Sequence, residues 1–215
     1  MTSRLEIKGF DELTPAQQTQ YERIAKSRSP GANEQFGGPF DPWIRSPEVA
    51  QRAMSMGNFV WERTSVGRRI VELAIIVTGR YWRSNVEWVA HAKMAKAEGV
   101  SDEVISAVFD EEPPPAAAPE DEKLTIAVCR ALHETKDLPL PLYQQAIATW
   151  GEHGLMDIIQ TIGFYTFVSM TLNTFNIPTG DGDPTPFPRD EYAGRSFSPQ
   201  LKGEGQILLS MLNKP

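Results

Sequence analysis

Two apolar stretches, joined by a short polar turn, carry charges that such surroundings do not tolerate unpaired. The first runs from Ile70 to Val77 and contains Glu72. The second follows the turn at Arg80, Tyr81, Trp82 and Arg83, begins at Ser84 and carries Glu87 and His91. Burying a lone carboxylate costs several kcal/mol or more, so Glu72 must be paired, neutralised or functional. Glu87 and His91 stand at i and i+4, one above the other on a single helix face. Ser84 and Trp88 fall on that face too. Acid–base chemistry needs a proton donor and acceptor held at fixed separation with pKa values tuned by their environment. Only here does the sequence supply such a set.

The rest of the chain reads as helix after helix. Thr14, followed by Pro15 and Gln17, opens a helix to about Ser27. Residues 28–45 are rich in Gly and Pro, and read as a long irregular loop. The loop also holds Phe36, Phe40, Trp43 and Arg45, which suits a lid or the wall of a site as well as a packed surface loop. Ser46 and Pro47 start a second helix that is expected to run to about Gly57 or a little beyond. Ser65 or Gly67 starts the helix of Glu72, expected to stop near Gly79. Ser84 is the expected cap of the helix of Glu87 and His91, which stops at Gly99. Shorter segments follow from Ser101 to Phe109 and from Glu120 to Thr135, the latter with an apolar stripe through Leu124, Val128 and Leu132. Pro113 to Pro119 is a stiff tie. Leu140 to Trp150 and Leu155 to Phe175 complete the set, the last apolar nearly all round and therefore buried in the domain or between subunits. From Pro178 the chain becomes Pro-, Gly- and Asp-rich, an arm that could wrap a neighbour. No stretch alternates as a half-buried strand does. The expectation is one all-α domain over residues 1–215, with its core at about 46–175 and an arm at 176–215.

Composition narrows the function. The net charge is −7, which argues against a nucleic-acid surface. The one cysteine, Cys129, cannot form an internal disulfide, and its apolar neighbours suit a buried structural thiol. No segment is expected to be long and apolar enough to span a membrane, and the first residues lack a signal-peptide core, so a cytoplasmic location is expected. His133 and His153 have no partner set in sequence and read as structural.

The order of these parts carries a resemblance. A Glu, then Ser84-x-x-Glu87-x-x-x-His91, then Gly-Val-Ser-Asp-Glu-Val-Ile from Gly99 to Ile105, resembles the carboxymuconolactone decarboxylase and alkylhydroperoxidase-D superfamily. The peroxidase branch of that family has a Glu followed by Cys-x-x-Cys-x-x-x-His. Glu72 and His91 stand where its Glu and His stand, and Ser84 and Glu87 occupy the two cysteine positions. The resemblance extends from about residue 46 to residue 105, and more loosely to residue 175. It implies a multi-helix orthogonal bundle that assembles into homo-oligomers, trimers or hexamers, with sites near subunit interfaces.

Thiol peroxidation needs an attacking thiolate and a resolving thiol, which Ser and Glu do not provide. The resemblance then implies the decarboxylase branch, which uses no metal or organic cofactor and removes CO2 from a carboxylated lactone. His91 is the expected proton donor, Glu87 its orienting group or a base, and Glu72 the group that fixes the imidazole tautomer. Arg80 and Arg83 are candidates to hold a substrate carboxylate. Ser84, Tyr81, Trp88, Trp43 and Phe36 are candidates for the rest of the substrate site. Isomerisation, cyclisation and lactone opening would use the same parts, and the sequence does not separate them. Two other readings stay open. One is a metal-dependent or other non-thiol oxidoreductase, since two Glu and one His are possible ligands. The other is a non-catalytic helical oligomer in which Glu72 pairs with Arg68, Arg69 or a distant Arg and the remaining residues are structural.

Overall fold

The computed structural model describes residues 3–187. Eight α-helices and two short 3-10 turns make up the described residues, and no strand occurs among them. The helices are α1 (Pro15–Ala25), α2 (Phe40–Ile44), α3 (Pro47–Glu62), α4 (Arg68–Tyr81), α5 (Asn85–Ala97), α6 (Asp102–Phe109), α7 (Glu120–Glu134) and α8 (Leu140–Thr174).

Helix α4 is the axis of the fold. Every residue from Ile70 to Gly79 is buried, because α5, α6, α7 and α8 all pack against it. A helix covered all round needs apolar residues on every face, and the run of Ile, Val, Leu and Ala provides them. One core cluster joins Leu73, Ile76 and Val77 to Val89, Val104, Val128 and Ile158. A second joins Val71 and Ile75 to Trp43, Val60, Val168 and Leu172.

The helix boundaries follow local chemistry where caps are made. Thr14 Oγ1 accepts from the Gln17 amide while the Gln17 side chain accepts from the Thr14 amide, the reciprocal box that the sequence predicts. Ser101 caps α6 through the Val104 amide. Ser84 sits at the N-cap position of α5, yet its hydroxyl caps nothing.

The two glycines near which the sequence places helix ends lie a few residues inside those helices. Helix α3 continues past Gly57 to Glu62, and α4 past Gly79 to Tyr81. Their missing side chains serve close approach. A Cβ at Gly57 would stand 3.2 Å from the Phe164 ring, and one at Gly79 would stand 3.2 Å from Glu87 Cβ. Gly151 does break a helix: with φ 67° and ψ 179° it divides α8 after Trp150, the break that the sequence places between its last two helices.

The segment 28–45 is less irregular than its breakers suggest. It contains α2, and the buried Asp41 carboxylate accepts from the Phe36 and Gly37 amides, at 2.9 and 2.7 Å, to close the turn before it. By length and composition α8 is apolar enough to cross a membrane, contrary to expectation; half of its most apolar window is buried against the other helices. The arm is described as far as Phe187. There the Asn85 side chain accepts from the Phe187 amide at 2.8 Å and donates to its carbonyl at 3.0 Å, and the Phe187 ring packs on Trp88 and Phe109. The rest of the expected arm lies outside the described residues.

Candidate active site

Helices α4 and α5 are held close at Gly79, and this approach sets Glu72 and Glu87 on either side of the His91 ring. His91 Nδ1 lies 2.7 Å from Glu72 Oε2 and Nε2 lies 3.3 Å from Glu87 Oε2. Glu72 is fully buried, and Glu87 and His91 are 4 % and 7 % exposed. The other Glu72 oxygen takes the Arg68 guanidinium, one turn back on α4. The network thus alternates in sign along Arg68, Glu72, His91 and Glu87.

Burial alone would push the imidazole toward its neutral form. The hydrogen bonds and charges of Glu72 and Glu87 outweigh it and raise the pKa from 6.5 to about 9. Because both ring nitrogens face carboxylates, only the imidazolium can donate to both. Its Nδ1–H is committed to Glu72. On the other side, Nε2 and Glu87 Oε2 are within ion-pair distance, but Glu87 Oε2 completes no hydrogen bond among the described residues. Ser84 Oγ, fully buried, lacks one as well.

Two aromatic residues complete the shell. Tyr165 from α8 meets the His91 ring edge-on, with centroids 5.0 Å apart. Its phenol is held well above its ordinary pKa by burial and by the charges of Glu87 and Glu72, against the opposing pull of Arg68. Trp61 from α3 meets the other side of the imidazole at 6.4 Å, and the Arg68 guanidinium lies 3.2 Å above the Trp61 ring. Trp61 is 45 % exposed, so it forms the outer cover of the network. Sequence reading passes over Trp61, Tyr165 and Arg68 as site residues. The only signal for Tyr165 is a polar tip inside an otherwise apolar helix.

The structure disperses the residues expected to bind substrate. Arg80 donates to the Phe109 carbonyl and pairs with Glu111, away from His91. The Arg83 guanidinium lies 5.7 Å from the Phe187 ring, on a residue with φ of 48°. Trp88 packs between Phe109 and Phe187 in the core. Trp43 is buried and stacked on Phe167 at 5.6 Å, and Phe36 is buried against Tyr21. Tyr81 stacks on His133, not on His91. Their aromatic bulk fills apolar space that a 215-residue chain must fill somewhere. Of the expected set, only Ser84 stays beside the trio, by its place one turn before Glu87.

The trio does not have the form of a metal centre. Its carboxylates flank opposite nitrogens of one ring, so the three groups do not converge on one point. Among the described residues no cluster of three or more His, Cys, Asp or Glu is arranged to hold a metal ion. Two cavities, of about 460 and 440 Å³, open elsewhere on the described residues, and neither is lined by Glu72, Glu87 or His91.

The arrangement of helices defines the class. This chain has the all-helical fold of alkylhydroperoxidase-D-like proteins. It is similar to the alkylhydroperoxidase AhpD core of an uncharacterised peroxidase-related protein from Ralstonia eutropha JMP134, with a TM-score of 0.65, 11 % identity, and coverage of 83 % of this chain and 93 % of that one. It is also similar to a protein of unknown function from Agrobacterium tumefaciens, for which an AhpD antioxidant-defence role has been suggested. There the TM-score is 0.56 and the identity 16 %, over 64 % of this chain and 94 % of the other. No protein-family model matches the sequence, and no curated protein does.

Proposed function

We propose that this protein is an acid–base enzyme in which His91 delivers a proton to a small organic acid, without thiol chemistry. The observation that carries the reading is the position of His91 between two buried carboxylates. An imidazolium whose pKa is raised to about 9 stays charged at neutral pH and is ready to donate. Glu72 fixes Nδ1–H, which leaves Nε2–H as the transferable proton. Ser84 Oγ completes no hydrogen bond among the described residues, and Glu87 Oε2 is met only by the His91 ring, which supports a place for a substrate group between them.

The resemblance points to decarboxylation of a carboxylated lactone. In that reaction the bond between the ring carbon and the carboxylate breaks and CO2 leaves. The electron pair passes into the adjacent carbonyl as an enolate, and His91 Nε2–H then protonates the carbon. Solvent returns the proton to the imidazole. Arg68, held between Glu72 and Trp61, replaces Arg80 and Arg83 as the cation of the site. Trp61 is the part of the shell that a substrate meets first. Cys129, the sole cysteine, is fully buried, and burial pushes its thiol up to about 12, which supports the non-thiol reading. We also propose a homo-oligomer, a trimer or hexamer as the resemblance implies, and a cytoplasmic location. Exposed Met56 on α3 and Met156 and Ile159 on α8 are apolar surface that subunit contact would cover.

A non-catalytic helical oligomer is the second reading. It is favoured by the near-complete burial of the trio. CO2 release from a panel of carboxylated lactones separates the two. The enzyme reading expects turnover that falls on the alkaline side near pH 9, and a loss of 100-fold or more, on the order of general-acid catalysis, in His91→Asn. No turnover of any panel member, and no ligand binding that His91→Asn alters, supports the structural reading.

A further inference from the structure

The larger cavity, of about 460 Å³, lies between α4, α6 and α7 and shares no residue with the surroundings of His91. Its walls include Arg80, Tyr81, Glu111, Arg130, His133 and Glu134. His133 is 94 % buried by its 6 % exposure, and its ring is stacked on Tyr81 at 4.4 Å.

The tautomer of His133 follows from its neighbour. Thr78 Oγ1 donates its only proton to the Ala74 carbonyl at 2.8 Å, so it can only accept from His133 Nε2, which lies 3.1 Å away. Nε2 therefore carries the hydrogen and Nδ1 carries a lone pair. No hydrogen bond to Nδ1 occurs among the described residues, and the ring lines the cavity. Burial, and then the nearby Lys136 charge, lower the His133 pKa to about 4, so the ring stays a neutral acceptor at physiological pH.

The same helix adds positive charge one turn before His133, at Arg130. Arg80 is paired with Glu111, but the Arg130 guanidinium is held by the carbonyls of Glu112 and Ala107, with no carboxylate in hydrogen-bond contact among the described residues. Those two bonds fix its plane and leave N–H groups for a ligand. Lys136 donates to the Tyr81 hydroxyl and the His133 carbonyl, which adds a second cation beside the aromatic stack. The volume lies within the range of small-molecule sites.

We propose that this cavity binds a small hydroxycarboxylate, whose carboxylate meets Arg130 and whose hydroxyl donates to His133 Nδ1. The ligand combines an anion with a hydrogen-bond donor, because the cavity offers, beside the carboxylates of Glu111 and Glu134, a guanidinium with no carboxylate in hydrogen-bond contact among the described residues, and a vacant neutral acceptor.

Malate and succinate differ by one hydroxyl and provide the test. Calorimetric titration of the full chain at pH 7 should give saturable malate binding, about fivefold tighter than succinate, as one neutral hydrogen bond confers. The side-chain nitrogen NMR signal of His133 Nδ1 should move with malate and not with succinate, which assigns the binding to this cavity. Arg130→Gln, which lies on a half-buried position and leaves the His133 contact to Thr78 in place, should weaken both acids by tenfold or more. His133→Gln should remove the preference for malate. Four results would each overturn the proposal: no saturable binding, equal affinity for the two acids, an unmoved His133 signal, or an Arg130→Gln variant that binds as the native chain does. The native comparison and the NMR signal stand even if a variant fails to fold.

Discussion

His91 is a base whose environment has been set against its burial. Both effects are large, and the sign of the outcome decides how stability depends on pH. The folded-state pKa, about 9, lies above the ordinary value of 6.5. The charged ring therefore contributes stability that is fully present below about pH 6.5 and is lost as pH rises through about 9. Thermal unfolding of the native chain should show this alkaline decline, and His91→Gln should flatten it. The same substitution leaves two buried carboxylates with only Arg68 beside them, so at pH 7 it should cost about 3–5 kcal/mol of stability in denaturant titration. A loss near zero would mean that the pair is solvated in solution. Glu72 and His91 were legible in the sequence because a charge inside an apolar run announces a partner, and the i, i+4 spacing names the face. Arg68 was legible only as one of several arginine partners open to Glu72; the structure gives Glu72 both Arg68 and His91.

Between the elements, the meaning of a glycine changes with what packs on it. Gly79 looks like a helix stop in sequence, since the same residue type serves both termination and close approach. The structure uses it for the second. Gly79→Ala would place a methyl group 3.2 Å from Glu87 Cβ and 3.5 Å from the Trp88 amide nitrogen. It should push α5 away from α4, destabilise the fold by about 1–3 kcal/mol and loosen the contact of His91 with Glu72. A denaturation curve and the His91 NMR titration would detect the two effects separately. The loop 28–45 shows the opposite limit. Its Gly and Pro residues hide α2, because the turn before it is built by the Asp41 carboxylate and two backbone amides, a contact that no periodicity encodes. Phe36 and Trp43, read as possible walls of a site, are core residues for the same reason: composition marks them as adhesive without saying to what.

Over the whole molecule, the helical class followed from the missing strand alternation and from cap after cap, and these are local signals. The shell around the trio was not legible. Trp61 comes from α3 and Tyr165 from α8, elements far from His91 in sequence, and only the packing of both onto α4 brings them there. The arm, too, is tied to a helix distant in sequence. Asn85 opens α5 and holds Phe187 through two hydrogen bonds, so one end of the helix that carries the site is tied to the end of the described chain. Asn85→Ala should cost about 1–3 kcal/mol, because it strands a buried amide and carbonyl. It should also speed hydrogen exchange at the Phe187 amide, whereas an unchanged rate would show that the tie does not form.

The proton on His91 is what joins these scales, and it can be observed directly. Side-chain nitrogen NMR of the native chain, followed from pH 5 to pH 10, should show an imidazolium at His91 that persists at neutral pH and titrates near pH 9, with Glu72→Gln lowering that midpoint. A ring that is already neutral at pH 7, or a midpoint at or below 6.5 that Glu72→Gln leaves in place, would contradict the account.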